Sequence, residues 1–245
     1  MINIENVYHT FLERENVRNR KKYEKYKGCF SASSAGSCYK KLLLRAEGVE
    51  EPPFDNRVMR LLRLGTIVHE DIQKGINDNY LYNNDDYDLF MEKRIEIPEL
   101  NLVGHLDLAI FDKKTKELKV WDIKTCASYK WRMMFGRNAK DGGSSNYKLQ
   151  LGTYAGALAQ ELNADSVEMA LLWYNKDTSA MREQPIDNSW INKAMEYWEE
   201  LNDFLDKPVE AKDLRVGSYG VPMENWECKY CNYQAIHCEG IRIKS

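Results

Sequence analysis

No apolar run in this 245-residue chain approaches the roughly 20 residues that a membrane-spanning helix needs. The opening residues, Met1-Ile2-Asn3-Ile4-Glu5, lack a basic stretch followed by an apolar one, so no secretory leader is read there. Internal repeats and low-complexity tracts are also missing, which excludes solenoids and linker-like chains. An excess of basic residues is missing too. The net charge of −3 excludes a general nucleic-acid coat and leaves room only for a local basic groove. What is present is a globular balance, 43% hydrophobic and 30% charged, at a length that suits one large domain. Without a leader, the expected location is cytoplasmic, in a prokaryote or a virus-infected cell. The six cysteines are then read as metal ligands or buried thiols rather than disulfides.

The hydrophobic pattern predicts a charged helix over 11–27 and a helix start at Ser31-Ala32-Ser33-Ser34, with Cys38 about one turn inside it. Pro52-Pro53 breaks the chain, and a helix over 57–78 follows. Its Leu62, Gly65, His69, Ile72 and Ile76 recur at helical spacing. Strands are predicted at 89–97, 101–111 and 118–124, with a polar hairpin turn from Asp112 to Glu117. A helix at 146–162, an alternating strand at 167–174 and an amphipathic helix at 188–206 complete the reading. This order predicts an α/β domain with a central mixed sheet flanked by helices. One domain is expected, with a helical N-terminal part (1–85), a core (86–180) and a C-terminal part (181–245).

A hairpin symmetric about the Lys114–Thr115 bond would set Asp107 directly opposite Asp122. Facing residues have Cβ atoms about 4.5–5.5 Å apart. Two carboxylates so close repel unless a cation lies between them, which makes this a place for Mg²⁺ or Mn²⁺. Lys124 shares the face of Asp122, because side chains alternate along a strand. The bland alternative is a charge trio on a solvated sheet edge. The apolar flanks (Leu106, Leu108, Ile110, Val120, Trp121, Ile123) speak for burial, where unpaired charge is costly. His69 is either a satisfied core histidine or the group that completes metal coordination. Gln150 and Tyr154, at i,i+4, share one helix face, and Gly152 and Gly156 let that helix approach a neighbour closely.

Cys38 stands near the start, and Cys228, Cys231 and Cys238 cluster near the end. Four thiolates with one short Cys-x2-Cys spacing suit tetrahedral zinc or a [4Fe–4S] cube. His237 could substitute in a zinc site, and Cys29 could compete with Cys38. Cys126 is read as a small buried residue.

In order, Gly65-x3-His69, Gly104-x2-Asp107, Asp122-Ile123-Lys124 and Gln150-x3-Tyr154 resemble the RecB-like branch of the PD-(D/E)XK nuclease superfamily. Leu106 stands where that superfamily often has proline. The cysteines look like those of its iron–sulfur subgroup, which includes AddB-type nuclease domains and stand-alone nucleases of CRISPR adaptation. Five residues are commoner there than the six between Cys231 and Cys238.

The resemblance implies a restriction-endonuclease-like core. It assigns His69, Asp107 and Asp122 as Mg²⁺ or Mn²⁺ ligands, with the Ile123 carbonyl helping. Lys124 becomes the catalytic lysine, and Gln150 and Tyr154 position substrate or lysine. Glu92 or Glu96 would match a further acidic position. Cys38, Cys228, Cys231 and Cys238 would hold a [4Fe–4S] cluster.

Tyr129, Lys130, Trp131, Arg132 and Arg137 follow the lysine, and aromatic residues interleaved with basic ones suit single-stranded DNA. Lys40, Lys41, Arg45, Arg57, Arg60 and Arg63 offer a second positive face. The expected activity is a metal-dependent DNA exonuclease on single-stranded ends. A helicase, recombinase or CRISPR integrase is its expected partner, and DNA processing, repair or CRISPR adaptation its setting. The other-class alternative is a non-catalytic, metal-stapled nucleic-acid-binding adaptor.

Overall fold

The computed structural model describes residues 2–23, 28–51, 54–79, 84–137, 139, 145–203, 231–233 and 236. Helix α1 spans Ile4–Tyr23, and a two-residue strand β1 (Phe30–Ser31) follows. Helices α2 (Tyr39–Ala46) and α3 (Asn56–Asn77) come next. The long strands β2 (Tyr87–Ile97), β3 (Leu102–Asp112) and β4 (Glu117–Cys126) form the centre of the sheet. Helices α4 (Ser128–Phe135) and α5 (Ser145–Leu162), strands β5 (Ser166–Asn175) and β6 (Met181–Ile186) and helix α6 (Ser189–Asn202) complete the chain order.

Local chemistry sets several of these boundaries. Asp55 caps α3 by accepting the Val58 N–H at 2.8 Å, satisfying one of the donors a helix start leaves free. In the β3–β4 turn, Asp112 Oδ1 accepts the amides of Lys114 and Thr115, and Lys116 takes a left-handed φ of 53°. That turn fixes the predicted hairpin register, with Leu108 opposite Trp121 and Asp112 opposite Glu117.

The six strands form one mixed sheet in the order β1-β3-β4-β5-β6, with β2 also paired to β3. β2 runs antiparallel along β3 from Tyr87/Asp112 to Ile97/Leu102. A strand has only two edges, so β4 and β1 must share the other one. β4 takes residues 108–112, and β1 pairs in parallel with Leu102 and Val103. Residues 104–107 lie between them, where β4 has left its neighbour. β4 instead stays parallel to β5 over its whole length, Glu117/Ser166 to Cys126/Asn175.

The core lies between the sheet and the α5–α6 pair. Leu118, Leu151, Leu158, Leu171 and Trp198 are fully buried, and each buried leucine stabilises the fold by about 1.5–3 kcal/mol. Helix α6 presses on α5 so closely that a Cβ on Gly152 would strike the Trp190 carbonyl, and one on Gly156 would come within 2.9 Å of Ile191. Trp198 Nε1 donates to Thr153 Oγ1 at 2.8 Å across the same interface. Among the described residues, no helix is long and apolar enough to cross a membrane.

Several elements differ from the sequence expectation. The Ser31–Ser34 stretch forms a single 3-10 turn (Ala32–Ser34), and Cys38 is the N-cap of α2 rather than a residue one turn inside a helix. Serine hydroxyls there bond locally: Ser34 Oγ donates to the Ser31 carbonyl at 2.6 Å, closing a turn instead of capping a helix. Strands β1 and β6 were not expected. One is only two residues long, and the other, Met-Arg-Glu-Gln-Pro-Ile, has no apolar alternation. The basic segment after Lys124 is helical, capped where Asp177 Oδ2 accepts the Ser128 N–H at 2.7 Å.

Candidate active site

The site lies in the fork where β4 leaves β3. The ladder stops at Leu108/Trp121, one pair before Asp107 would meet Asp122. The expected direct opposition of the two aspartates is therefore replaced by a splayed arrangement. Asp107 Oδ2 accepts the Ile123 N–H at 2.7 Å, so the carboxylate bridges the gap that the ladder leaves. His69 Nδ1, from α3, lies 3.6 Å from the same oxygen. α3 reaches the fork closely at Gly65, where a Cβ would stand 3.4 Å from Thr125 Oγ1.

Asp122 is 0% exposed, and its Oδ2 lies 2.6 Å from Lys124 Nζ. That contact is ionic; neither Asp122 oxygen receives a well-aligned hydrogen bond from the described residues. Burial pushes the carboxyl up to about 7, with the Asp107 charge adding to the rise and Lys124 opposing it. For Lys124, burial pulls downward, but the charges of Asp122 and Asp107 outweigh it and hold the ammonium above the ordinary lysine range. Lys124 is thus a fixed cation. Its Nζ also donates to Gln150 Oε1 at 3.0 Å and sits 4.8 Å over the Tyr147 ring.

Tyr154 closes the floor of the site. It is 1% exposed, and burial, with the Asp122 charge adding, raises its phenol above the ordinary range. Its ring fills the space over Gly104: a Cβ there would lie 2.7 Å from Tyr154 Cε1 and 2.9 Å from Ala32 Cβ. The missing side chain at Gly104 therefore lets the Tyr154 ring pack directly on β3.

Among the described residues, no three His, Cys, Asp or Glu side chains converge into a closed metal cage. Asp107 is turned toward Ile123 and His69, and Asp122 toward Lys124. The donor set nevertheless fits a hard divalent cation. Carboxylate and carbonyl oxygens suit Mg²⁺ and Mn²⁺, and a fully buried carboxylate without aligned donors is what a cation would compensate.

The structure thus brings His69, Asp107, Asp122, Ile123, Lys124, Gln150 and Tyr154 to one fork. It handles the proposed substrate residues unevenly. Tyr129 is 70% exposed, and Arg132 and Arg137 are also exposed on and just after α4. Trp131 is not a free stacking platform: it packs edge-on against Phe135, 4.8 Å between centroids. Three of the six residues of the second positive face are paired with acids. Arg45 pairs with Glu51 at 2.7 Å and Arg63 with Glu70 at 3.5 Å, while Arg60 contacts His9 and Glu5.

Sequence reading missed the aromatic wall Phe135–Trp173–Tyr147 that borders Lys124. Its available signal was Tyr147 standing three residues before Gln150, on the same helix face.

Cys228, Cys238 and His237 lie outside the described residues. Cys126 is buried, and burial raises its thiol. The short stretch Cys231–Tyr233 returns to the N-terminal part. Tyr233, 1% exposed, donates to the Val49 carbonyl at 3.0 Å, and Asn232 Nδ2 donates to Glu51 Oε1 at 3.4 Å.

A mixed sheet that splays around a buried Asp…Asp-x-Lys constellation defines a nuclease-type α/β core. A family model for the PD-(D/E)XK nuclease superfamily matches residues 77–238, and the chain belongs to that superfamily. The matched stretch contains Asp107, Asp122, Lys124, Gln150 and Tyr154 and begins after His69.

The crystal structure of SSO0001 is similar over 98% of this chain and 100% of that one, with 18% identity and a TM-score of 0.55. LHK-Exo in complex with dAMP is similar over 76% of this chain and 92% of that one, with 12% identity and a TM-score of 0.50. LHK-Exo without it, an alkaline exonuclease from Laribacter hongkongensis, gives 0.48 over the same shares and at the same identity. The likenesses to SSO0001 and to LHK-Exo in complex with dAMP establish the fold. No curated protein matches the sequence.

Proposed function

We propose that this chain is a Mg²⁺- or Mn²⁺-dependent deoxyribonuclease that acts as an exonuclease on single-stranded DNA ends. The observation that carries the reading is Asp122. Its Oδ1 is wholly buried and has no hydrogen-bond partner among the described residues, an open acceptor that a divalent cation would fill.

In this reading His69, Asp107, Asp122 and the Ile123 carbonyl hold the cation. When bound, a divalent cation polarises a phosphodiester and lowers the pKa of a coordinated water. Lys124, held by Asp122 and Gln150, neutralises charge that develops on the phosphate oxygens. Gln150 fixes the direction of the ammonium, and the Tyr147 ring covers one side of it. Tyr154 keeps the floor rigid. Tyr129, Lys130, Arg132 and Arg137 on the α4 side receive the DNA strand.

The same reading gives the cysteines a separate task. Cys38, Cys228, Cys231 and Cys238 hold a [4Fe–4S] cluster of the RecB-like iron–sulfur type, zinc being the other occupant such thiolates accept. Tyr233 and Asn232 tie this C-terminal stretch to Val49 and Glu51, just past α2, the helix whose N-cap is Cys38. A setting in DNA repair, recombination or CRISPR adaptation follows, with a helicase, recombinase or integrase as partner.

Purified protein incubated with Mn²⁺ and labelled single- and double-stranded DNA provides the test. The expected outcome is shortening of single strands from their ends, absent in Lys124→Ala. Both substrates left intact by the wild type would leave a stapled DNA-binding adaptor instead. Brown protein with broad visible absorption is expected; a colourless zinc protein would replace the cluster by a zinc knuckle.

A further inference from the structure

Gln73 stands four residues beyond His69 on α3, so the two side chains leave the same helix face. It is 8% exposed, and its Nε2 donates to two acceptors: the Asp107 main-chain carbonyl at 2.8 Å and Glu92 Oε1 at 2.9 Å. α3 therefore grips Asp107 twice, at its carboxylate through His69 and at its backbone through Gln73.

The strand opposite tells the same story. The β2–β3 ladder is continuous except for one pair, Glu92 with Asp107. Glu92 has a φ of 48°, in the left-handed region that side chains with a Cβ avoid. It is exposed, so core packing does not impose that conformation. Strain of this kind persists where the surroundings over-determine it, and Gln73 Nε2 is the contact that reaches Glu92.

We propose that Gln73 and Glu92 are positioning residues. Together they lift the Asp107 peptide out of the regular ladder and set the angle at which its carboxylate enters the fork. This rests on the reading of Asp107 as a ligand of the catalytic cation. The groups that hold a ligand in place commonly alter metal affinity or activity about 10–100-fold when changed.

The test compares the chain with three variants of the pair and with Asp107→Asn. Gln73→Met keeps the length of the side chain and removes the donor. Gln73→Glu keeps the shape and sets an acceptor against two acceptors. Glu92→Gly frees the left-handed backbone and removes the carboxylate. Mn²⁺ binding by calorimetry, thermal melting, and kcat and KM on single-stranded DNA are measured for each.

Gln73→Met is expected to weaken Mn²⁺ binding about ten-fold and to lower kcat with KM for DNA unchanged. Glu92→Gly is expected to melt no lower than wild type while also losing Mn²⁺ affinity. A purely structural pair would move melting and metal binding together, and that result would overturn the proposal. Asp107→Asn separates the two levels. If it binds Mn²⁺ like wild type, the reading of the site itself fails. If it loses Mn²⁺ while both Gln73 variants keep wild-type affinity, the site stands and the positioning role falls.

Discussion

Strand β4 carries two lysine–carboxylate clusters, one at each end, and their fates differ. Lys119 meets Glu168 at 3.0 Å and Glu117 at 3.6 Å, with the three side chains 40%, 63% and 31% exposed. Lys124 meets Asp122 at 2.6 Å, with the two side chains 16% and 0% exposed. Both lysines are held above the ordinary range, so the ammonium alone does not separate the ends. The acid partner separates them: burial pushes Asp122 up to about 7, whereas the glutamates around Lys119 keep contact with water. At one end water screens the pair, and at the other the protein has removed the water and left Oδ1 of the carboxylate without a partner among the described residues. The same residue types make a surface decoration in one place and a strained, poised group in the other.

The largest expected effect breaks the buried end alone. Lys124→Ala should lower kcat for DNA cleavage by about 10²–10³-fold, the order seen when one fixed stabilising donor is removed from an active site. A loss of less than about ten-fold would mean that the buried end has no chemical privilege over the exposed one.

The pH dependence of stability comes next. Asp122 binds its proton more tightly in the folded state than in the unfolded one. Its stabilising contribution is therefore present below the ordinary value of 3.8 and is lost as pH rises toward about 7. The difference in unfolding free energy between wild type and Asp122→Asn should change across that window by at most about 1.4 kcal/mol per pH unit. Added Mn²⁺ should flatten the change. A difference that is flat without metal would place Asp122 with the ordinary surface carboxylates.

Gly104→Ala tests the packing around the buried end. The new methyl meets Tyr154 and Ala32, and overpacking of this kind typically costs about 1–3 kcal/mol, read as a lower melting temperature. The smallest effect belongs to the exposed end. Lys119→Ala should leave cleavage unchanged and shift stability by no more than about 0.5 kcal/mol.

The centre of this fold was legible because the hairpin turn is. Six polar residues between two apolar runs set the Leu108/Trp121 register, and the apolar flanks announced burial of the aspartates. The point where the ladder opens was not legible. It depends on Asp107 capturing the Ile123 amide and on β1 claiming the vacated edge of β3, and two residues of strand leave no periodic trace. β6 escaped for the opposite reason: an edge strand that carries Pro185 and charged residues has no hydrophobic alternation to read.

Single-residue partners such as Gln73 and Tyr147 are ordinary helix residues until the tertiary fold sets Asp107 and Lys124 beside them. Trp131, conspicuous in sequence as an aromatic among basic residues, turned inward because Phe135 stands one turn away.

The fork has a mechanical consequence. His69 and Asp107 are anchored to the body formed by α3, β2 and β3, and Asp122 and Lys124 to the body formed by β4 and β5. The two bodies are joined by the short ladder from Leu108 to Asp112, by the Ile123 N–H bonded to the Asp107 carboxylate, and by α3 lying against Thr125. Helix α5 belongs to both bodies at once: Gln150 holds Lys124 on β4, while Tyr154 packs on Gly104 of β3 and Glu161 pairs with Lys93 of β2, so the separation of the two carboxylates is set from both sides.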